Sequence, residues 1–207
     1  MPKYKLTYFD FDGGRGEPAR IAFHAGGISF EDDRLSFVEF SKVRASTPFN
    51  SLPVLWIDGE PVSQSNAINR YVGKLAGLYP QDPLQALYCD EAMDASEDLG
   101  MHISLTIGLK DAALQEAREK LAEGRLSTFM RGLNGMLERR GGEYFADGRL
   151  TVADLKVFLQ VRTIKKGVLQ HIPSDLVDRL APALSRHFDR VASDDRVVAY
   201  YASRPSK

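Results

Sequence analysis

The sequence predicts a mixed α/β domain followed by an all-helical domain, on three observations. The first third alternates short apolar runs with glycine and proline breaks. A linker, Gly77-Leu78-Tyr79-Pro80-Gln81-Asp82-Pro83, holds two prolines and a glycine. Everything after Leu84 carries apolar residues at helical spacing. A chain of 207 residues fits two domains of roughly 80 and 120 residues. We therefore place the boundaries at 1–76 for the first domain, 77–83 for the linker and 84–207 for the helical domain.

Lys3 to Phe9 alternates, with Tyr4, Leu6 and Tyr8 on one face and Lys5 and Thr7 on the other, which is strand periodicity. Gly13-Gly14-Arg15-Gly16 breaks the strand. Glu17 and Pro18 then occupy the first turn of a helix that carries Ile21, Ala22 and Ala25 and ends at Gly26-Gly27. A second extended stretch runs from Phe30 to Leu35, followed by an irregular stretch. Pro53 to Ile57 is a strongly apolar strand, Asp58-Gly59 is a hairpin signal, and Pro61-Val62-Ser63 returns beside it. Ser65 is placed as the N-cap of a helix bearing Ile68, Tyr71, Val72 and Leu75. The order is βαβ followed by ββα, the thioredoxin-like pattern. In the second domain, Leu87 to Leu109 and Leu114 to Leu137 form two long helical patterns, and Gly141-Gly142 punctuates them. Thr151 and Asp154 form a capping-box variant ahead of Leu155, Phe158, Leu159 and Ile164. Pro173 and Pro182 mark two later helix starts.

The totals narrow the function. Hydrophobic residues make up 43% of the chain, and 27 basic residues stand against 28 acidic ones, a net charge of −1. That balance predicts no nucleic-acid partner. No apolar run approaches the ~20 residues of a membrane span, and Met1 to Leu6 has no signal-peptide core, so a cytoplasmic protein without membrane association is expected. A single cysteine, Cys89, allows no internal disulfide and no CxxC pair. It stands beside Leu87 and Tyr88 and is expected to pack. His24, His102, His171 and His187 are scattered, and no metal site is expected. The glycines at 13, 14 and 16 match neither a P-loop nor a dinucleotide fingerprint.

Three places could carry chemistry. Tyr8, just before the glycine break, is either a packed core tyrosine or a phenol whose hydroxyl meets a ligand. Pro53 opens a buried strand. It either sits at a sheet edge or follows a cis bond that leaves the Leu52 amide and carbonyl open to a peptide-like ligand. Gln64-Ser65 begins a helix, where backbone amides and the dipole favour a carboxylate, although Ser65 also serves as a plain cap. Asp90, Asp94 and Asp98 form an acidic row with Glu91 and Glu97 beside it. Such a row is a solvated face, or meets a basic partner or an ammonium group.

Together these pieces resemble the cytosolic glutathione transferases, the sigma class most closely. The resemblance rests on Pro2-Lys3-Tyr4-Lys5-Leu6-Thr7-Tyr8-Phe9 followed by a Gly-Arg-Gly-Glu run, on Leu52-Pro53-Val54-Leu55, on Gln64-Ser65-Asn66-Ala67-Ile68 and on Thr151-Val152-Ala153-Asp154-Leu155. It spans nearly the whole chain. It implies a two-fold homodimer that uses glutathione as co-substrate, with no tightly bound cofactor, and conjugates its thiolate to small hydrophobic electrophiles. Carried over by residue, Tyr8 activates the thiol. Leu52 pairs with the cysteinyl backbone before a cis Pro53, with Ser51 beside it. Gln64 and Ser65 take the γ-glutamyl carboxylate, Phe40 and Arg44 lie near the glycyl end, and Arg15 follows the first strand. Asp98 reaches across the dimer to the glutathione amino group, while Asp94 and Glu97 stay solvated. Phe11 and Leu105 line the electrophile pocket.

The chain departs from the class in three ways. Asp10 to Gly14 is one residue longer, Phe40 replaces a frequent tryptophan, and the helical domain has no tryptophan, which prostaglandin D synthases of the class use in their substrate pocket. Two alternatives remain at this point: a glutathione-dependent isomerase of the prostaglandin D synthase kind, and a non-catalytic protein like the related lens crystallins. The retained Tyr8, Leu52-Pro53 and Gln64-Ser65 argue against a dead site.

Overall fold

A computed structural model describes residues 2–204. They divide into two compact units, one made of the chain up to Tyr79 together with Asp195 onward, the other of Pro80–Asp194.

In the first unit, β1 (Tyr4–Phe9), β2 (Glu31–Leu35), β3 (Val54–Ile57) and β4 (Glu60–Val62) form one sheet in the order β2-β1-β3-β4. β1 runs parallel to β2 and antiparallel to β3. As a central strand it is covered on both sides: Leu6, Thr7 and Tyr8 are all buried. Thr7 Oγ1 donates to Asp33 at 2.7 Å and accepts from the Trp56 indole at 3.0 Å, so the polar side chain on the second face is paired. The β3–β4 turn is Asp58-Gly59, both at positive φ, as a two-residue hairpin of this kind needs. α1 (Glu17–Ala25) packs on α3 (Ser65–Leu75) and on α10 (Asp195–Ala202). α10 falls within the 84–207 segment assigned from sequence to the helical domain, yet its packing places it in the first unit.

The stretch expected to be irregular contains α2 (Phe37–Val43), followed by 3₁₀ turns at Arg44–Ser46 and Pro48–Asn50. α2 starts at a complete capping box. Ser36 Oγ accepts from the Glu39 amide, and the Glu39 carboxylate accepts from the Ser36 amide. None of its side chains is buried, so it shows no apolar stripe. Ser65 is the first residue of α3 and not its cap. Gln64 holds the cap position and makes no side-chain capping bond.

In the second unit, α4 (Pro83–Ser104) packs on α6 (Ser127–Arg139) and α7 (Val152–Lys165). The expected long helix from Leu114 to Leu137 is α5 (Asp111–Leu121) running through a π-helical segment, Ala122–Leu126, into α6. α7 is buried on nearly every side, as an all-round apolar helix should be. The Asp154 carboxylate at its start accepts from Thr151 N and Oγ1, both at 2.7 Å, and from Phe145 N at 3.0 Å, and lies 2.9 Å from His187 Nε2. α8 (Leu176–Leu180) begins three residues after Pro173, whereas α9 (Pro182–Ala192) begins at Pro182 itself. No helix among the described residues is long and apolar enough to cross a membrane.

Candidate active site

Sheet register collects the first-domain candidates at one end of the sheet. The β1–β3 ladder ends at Thr7–Val54, so Tyr8 on one strand and Leu52-Pro53 before the other lie just beyond its last rung. β4 runs antiparallel to β3, with Val62 opposite Leu55, and Gln64-Ser65 follows at the same end. β2 runs parallel to β1, and Phe40 lies on the helix that leaves it.

Tyr8 is the best-defined member. Its side chain is 5% exposed, and its hydroxyl oxygen accepts from the Arg15 amide at 2.8 Å. A hydroxyl has one proton and two lone pairs. Here one lone pair is taken, and no acceptor among the described residues takes the proton. Burial raises the phenol above its ordinary value. The Arg15 amide and the charges of Arg15 and Arg20 pull it partly back. The phenol is therefore a protonated donor at neutral pH.

The glycine break allows this arrangement. A Cβ on Gly14 would lie 2.4 Å from the Tyr8 hydroxyl, and one on Gly16 would lie 2.4 Å from Tyr8 Cγ. Gly14 also has φ +67°, a conformation that glycine adopts without penalty. From the sequence the run 13–16 was only a strand break; in the fold it is the wall of the tyrosine's slot. Arg20, fully buried, completes the slot with its guanidinium 5.5 Å from the ring centre. Arg20 carries no local signal in the sequence, and Gly14 and Gly16 stand out there only as part of a strand break. Three glycines in four residues beside a strand-end tyrosine is the signal that pointed there.

The Leu52–Pro53 bond is cis. Ser51 before it is extended and exposed, Leu52 is half-buried and Pro53 is buried. The Phe40 ring lies edge-on to Phe9 at 5.3 Å. The Arg44 guanidinium stands 5.9 Å from Phe40 and donates through Nε to the Asn50 carbonyl at 3.0 Å. Gln64 is exposed with φ 76° and ψ 107°, an uncommon conformation for a side chain of its size, and it turns the chain into α3 at the buried Ser65. Phe11, 37% exposed, packs 5.7 Å from Tyr8, ring centre to ring centre.

Two candidates belong to the second unit. Asp98 is exposed on α4, and Leu105, 73% exposed, is that helix's C-cap. One expectation about the acidic row needs correction. Glu97 is not left to solvent. It pairs with the buried Lys156 of α7 at 2.5 Å, and that ammonium offsets part of the row's like-charge repulsion. Among the described residues no three His, Cys, Asp or Glu side chains gather as a metal site.

Cys89 is fully buried, and its thiol is pushed up to about 12 by burial, against weaker opposing hydrogen bonds from Thr151 and the Ala153 amide. We expect no alkylation of Cys89 by a thiol reagent in the native protein at pH 8, and complete reaction in denaturant. Rapid native labelling measured by mass would show an open thiol and a wrong packing assignment.

Two family models match the chain, "Glutathione S-transferase, N-terminal domain" over residues 4–74 and "Glutathione S-transferase, C-terminal domain" over residues 97–204. Glutathione S-transferase 1 of Ascaris suum is 34% identical over 99% of this chain and 98% of its own length. Hematopoietic prostaglandin D synthase of Gallus gallus is 29% identical over 99% and 98%. The solved structure of prostaglandin synthase D of Nilaparvata lugens superposes with a TM-score of 0.87 at 30% identity, covering 100% of both chains. The chain belongs to the glutathione S-transferase family.

Proposed function

We propose that the Tyr8 hydroxyl donates a hydrogen bond to the sulfur of bound glutathione, whose own proton leaves to solvent, and holds that sulfur as the thiolate that attacks small hydrophobic electrophiles. The observation that carries this reading is the pinned, protonated phenol: one lone pair on the Arg15 amide, the proton open, the ring locked by glycines. A free thiol has a pKa near ~8.5. Lowering it by about two units, which makes the thiolate the majority form at neutral pH, takes about 2.7 kcal/mol. One hydrogen bond to a charged group contributes about 1.5–3 kcal/mol, so a single phenol supplies most of the effect. The thiolate then forms a thioether by attack on an electrophilic carbon, from which the leaving group departs with its bonding pair, a halide ion in the case of an aromatic halide.

The rest of the site follows the sheet end. The Leu52 backbone, with Ser51 and Pro53 beside it, docks the cysteinyl unit as an added strand. Gln64 and Ser65 at the start of α3 take the γ-glutamyl carboxylate, Phe40 and Arg44 the glycyl end, and Arg15 flanks the sulfur. For the electrophile we assign Phe11, the part-exposed apolar side chain beside Tyr8. We further propose a sigma-class-like, cytoplasmic homodimer that holds no tightly bound cofactor and in which Asp98 accepts from the glutathione ammonium across the two-fold axis. The test is titration with glutathione while following the ultraviolet thiolate band, then turnover of a simple aromatic halide. Binding with no band and no turnover would favour a non-catalytic relative.

The prostaglandin synthase relatives favour a second reading, an isomerase that uses the same glutathione site and differs in the electrophile pocket. A helical unit without tryptophan weighs against it. Asp98→Asn is expected to raise the KM for glutathione several-fold with little change in kcat, because it removes ground-state and transition-state binding alike. A fall in kcat at unchanged KM would move Asp98 out of the binding role.

A further inference from the structure

Tyr8 is bracketed by a closed ring of hydrogen bonds, all of it within the first unit. Tyr200 on α10 donates to Glu17 Oε1 at 2.9 Å. Glu17 Oε2 accepts from Arg20 Nη1 at 3.1 Å. Arg20 Nε donates to Asp32 Oδ1 at 2.8 Å, and Asp32 Oδ2 accepts from Arg34 Nε at 2.7 Å. Arg34 Nη2 closes the ring by donating to the Tyr200 hydroxyl at 3.5 Å. Two carboxylates and two guanidiniums balance in charge, and one neutral phenol joins them. Three members touch the site's frame. Arg34 is registered opposite Tyr8 on β2. Arg20 lies against the Tyr8 ring and donates to the Phe9 carbonyl at 3.2 and 3.3 Å. Glu17 follows Gly16 directly in the chain.

We propose that Tyr200 is a positioning residue for the thiol-activating phenol, holding Glu17 so that Arg20 stays seated on Tyr8; the proposal rests on the Tyr8 reading above. Glu17 and Arg20 are both fully buried, where a charge without hydrogen bonds is costly. Burial pushes the Glu17 carboxyl above the usual range, and its donors, Arg20 first, pull it back. With Tyr200 donating to one carboxylate oxygen, Arg20 serves only the other and keeps its remaining nitrogens for Asp32 and the Phe9 carbonyl. Without that hydroxyl, Glu17 Oε1 is left with the Arg204 guanidinium at 3.7 Å, beyond hydrogen-bond reach, and competes with Oε2 for Arg20. The guanidinium is drawn from the phenol ring, the phenol loses the positive charge that strengthens it as a donor, its hydrogen bond to the sulfur weakens, and the thiolate is less favoured. The C-terminal helix thus reaches the chemistry without touching glutathione.

The test is Tyr200→Phe, which keeps the ring against His24 and Tyr201 and removes only the hydroxyl. The readout is the pKa of bound glutathione, taken from the thiolate band as a function of pH, in both the Tyr8 and the Tyr8→Phe backgrounds. With Tyr8 present, the expected result is an upward shift of about half a unit, a threefold change in thiolate at constant pH, with KM for glutathione little changed. In the Tyr8→Phe background no further shift is expected. Arg34→Lys opens the same ring at another member and is expected to move the pKa in the same direction, which keeps the test decisive should Tyr200→Phe fold poorly. No shift from either variant with Tyr8 present overturns the proposal. An equal shift in both backgrounds also overturns it, because the effect then bypasses Tyr8. If Tyr8→Phe alone leaves the thiol pKa unchanged, the Tyr8 reading fails, and the positioning role fails with it.

Discussion

Replacing Tyr8 by phenylalanine is expected to lower kcat/KM for conjugation by about ten- to 150-fold near neutral pH, the equivalent of one hydrogen bond to a charged group. The ring keeps its slot, since the contacts with Gly16 and Arg20 involve carbon atoms and the aromatic face. The fold and glutathione binding should therefore survive. The change is in the sulfur's proton. The thiolate band at neutral pH should fade, and the rising limb of the pH–rate profile should move up toward the free thiol near ~8.5. Burial holds the Tyr8 phenol above its ordinary value, so the wild-type profile should show no loss from phenol ionisation below pH ~10. Unchanged rate and band in steady-state and titration measurements would mean that another group activates the thiol.

The second large effect is expected at Gly16. Alanine there would place Cβ 2.4 Å from Tyr8 Cγ, 2.6 Å from Cδ1 and 2.8 Å from Cβ. The backbone is not the problem, because Gly16 has φ −88°, which any residue adopts. The whole penalty is steric, and it falls on Tyr8. Overpacking of this kind costs about 1–3 kcal/mol, and each kcal/mol lowers Tm by roughly 2–4 °C in a chain this long. Conjugation should fall together with Tm, because relief requires the tyrosine to move. Gly132 on α6 is the matched control. It is exposed and helical, and an added Cβ meets nothing within 4 Å. Alanine there should stabilise by about 0.5–1 kcal/mol. A Gly16→Ala protein with wild-type Tm and rate would show that the slot has slack.

Much of the first unit was legible because its signals are local. Alternation marked β1, Asp58-Gly59 marked the hairpin, and the glycine and proline breaks marked the ends of α1. α2 was missed for a physical reason. With Phe37 and Val38 both open to solvent, its apolar residues follow no buried stripe, and the periodicity had nothing to report. The Ser36 to Glu39 capping box was the one local cue. The π-helical segment was invisible because a single i→i+5 turn leaves almost no mark on composition. At the site, Tyr8 and Leu52-Pro53 stood out as single residues in unusual places. Glu17 looked like an ordinary first-turn acid. Its hydrogen bond to Tyr200 spans 183 residues, and no local pattern carries information over that distance. Glu97 was read as solvated for the same reason, since Lys156 lies 59 positions away.

The placement of α10 also bears on the order in which the protein can be completed on the ribosome. The first unit is discontinuous in sequence: its sheet and first three helices emerge early, but the helix that seals Glu17 emerges only after all of Pro80–Asp194. Domains tend to form as they leave the ribosome, N-terminal first. Here the leading domain would wait, with a buried acid still exposed, while the contiguous helical unit is synthesised and can form by itself. Closing so long a loop adds little to equilibrium cost, because loop entropy grows only logarithmically with length, but it makes the last contact a late one. The first unit would thus be complete only once Asp195–Ala202 has been made, so nascent chains arrested before Asp195 should hold a folded helical unit and an incomplete first unit.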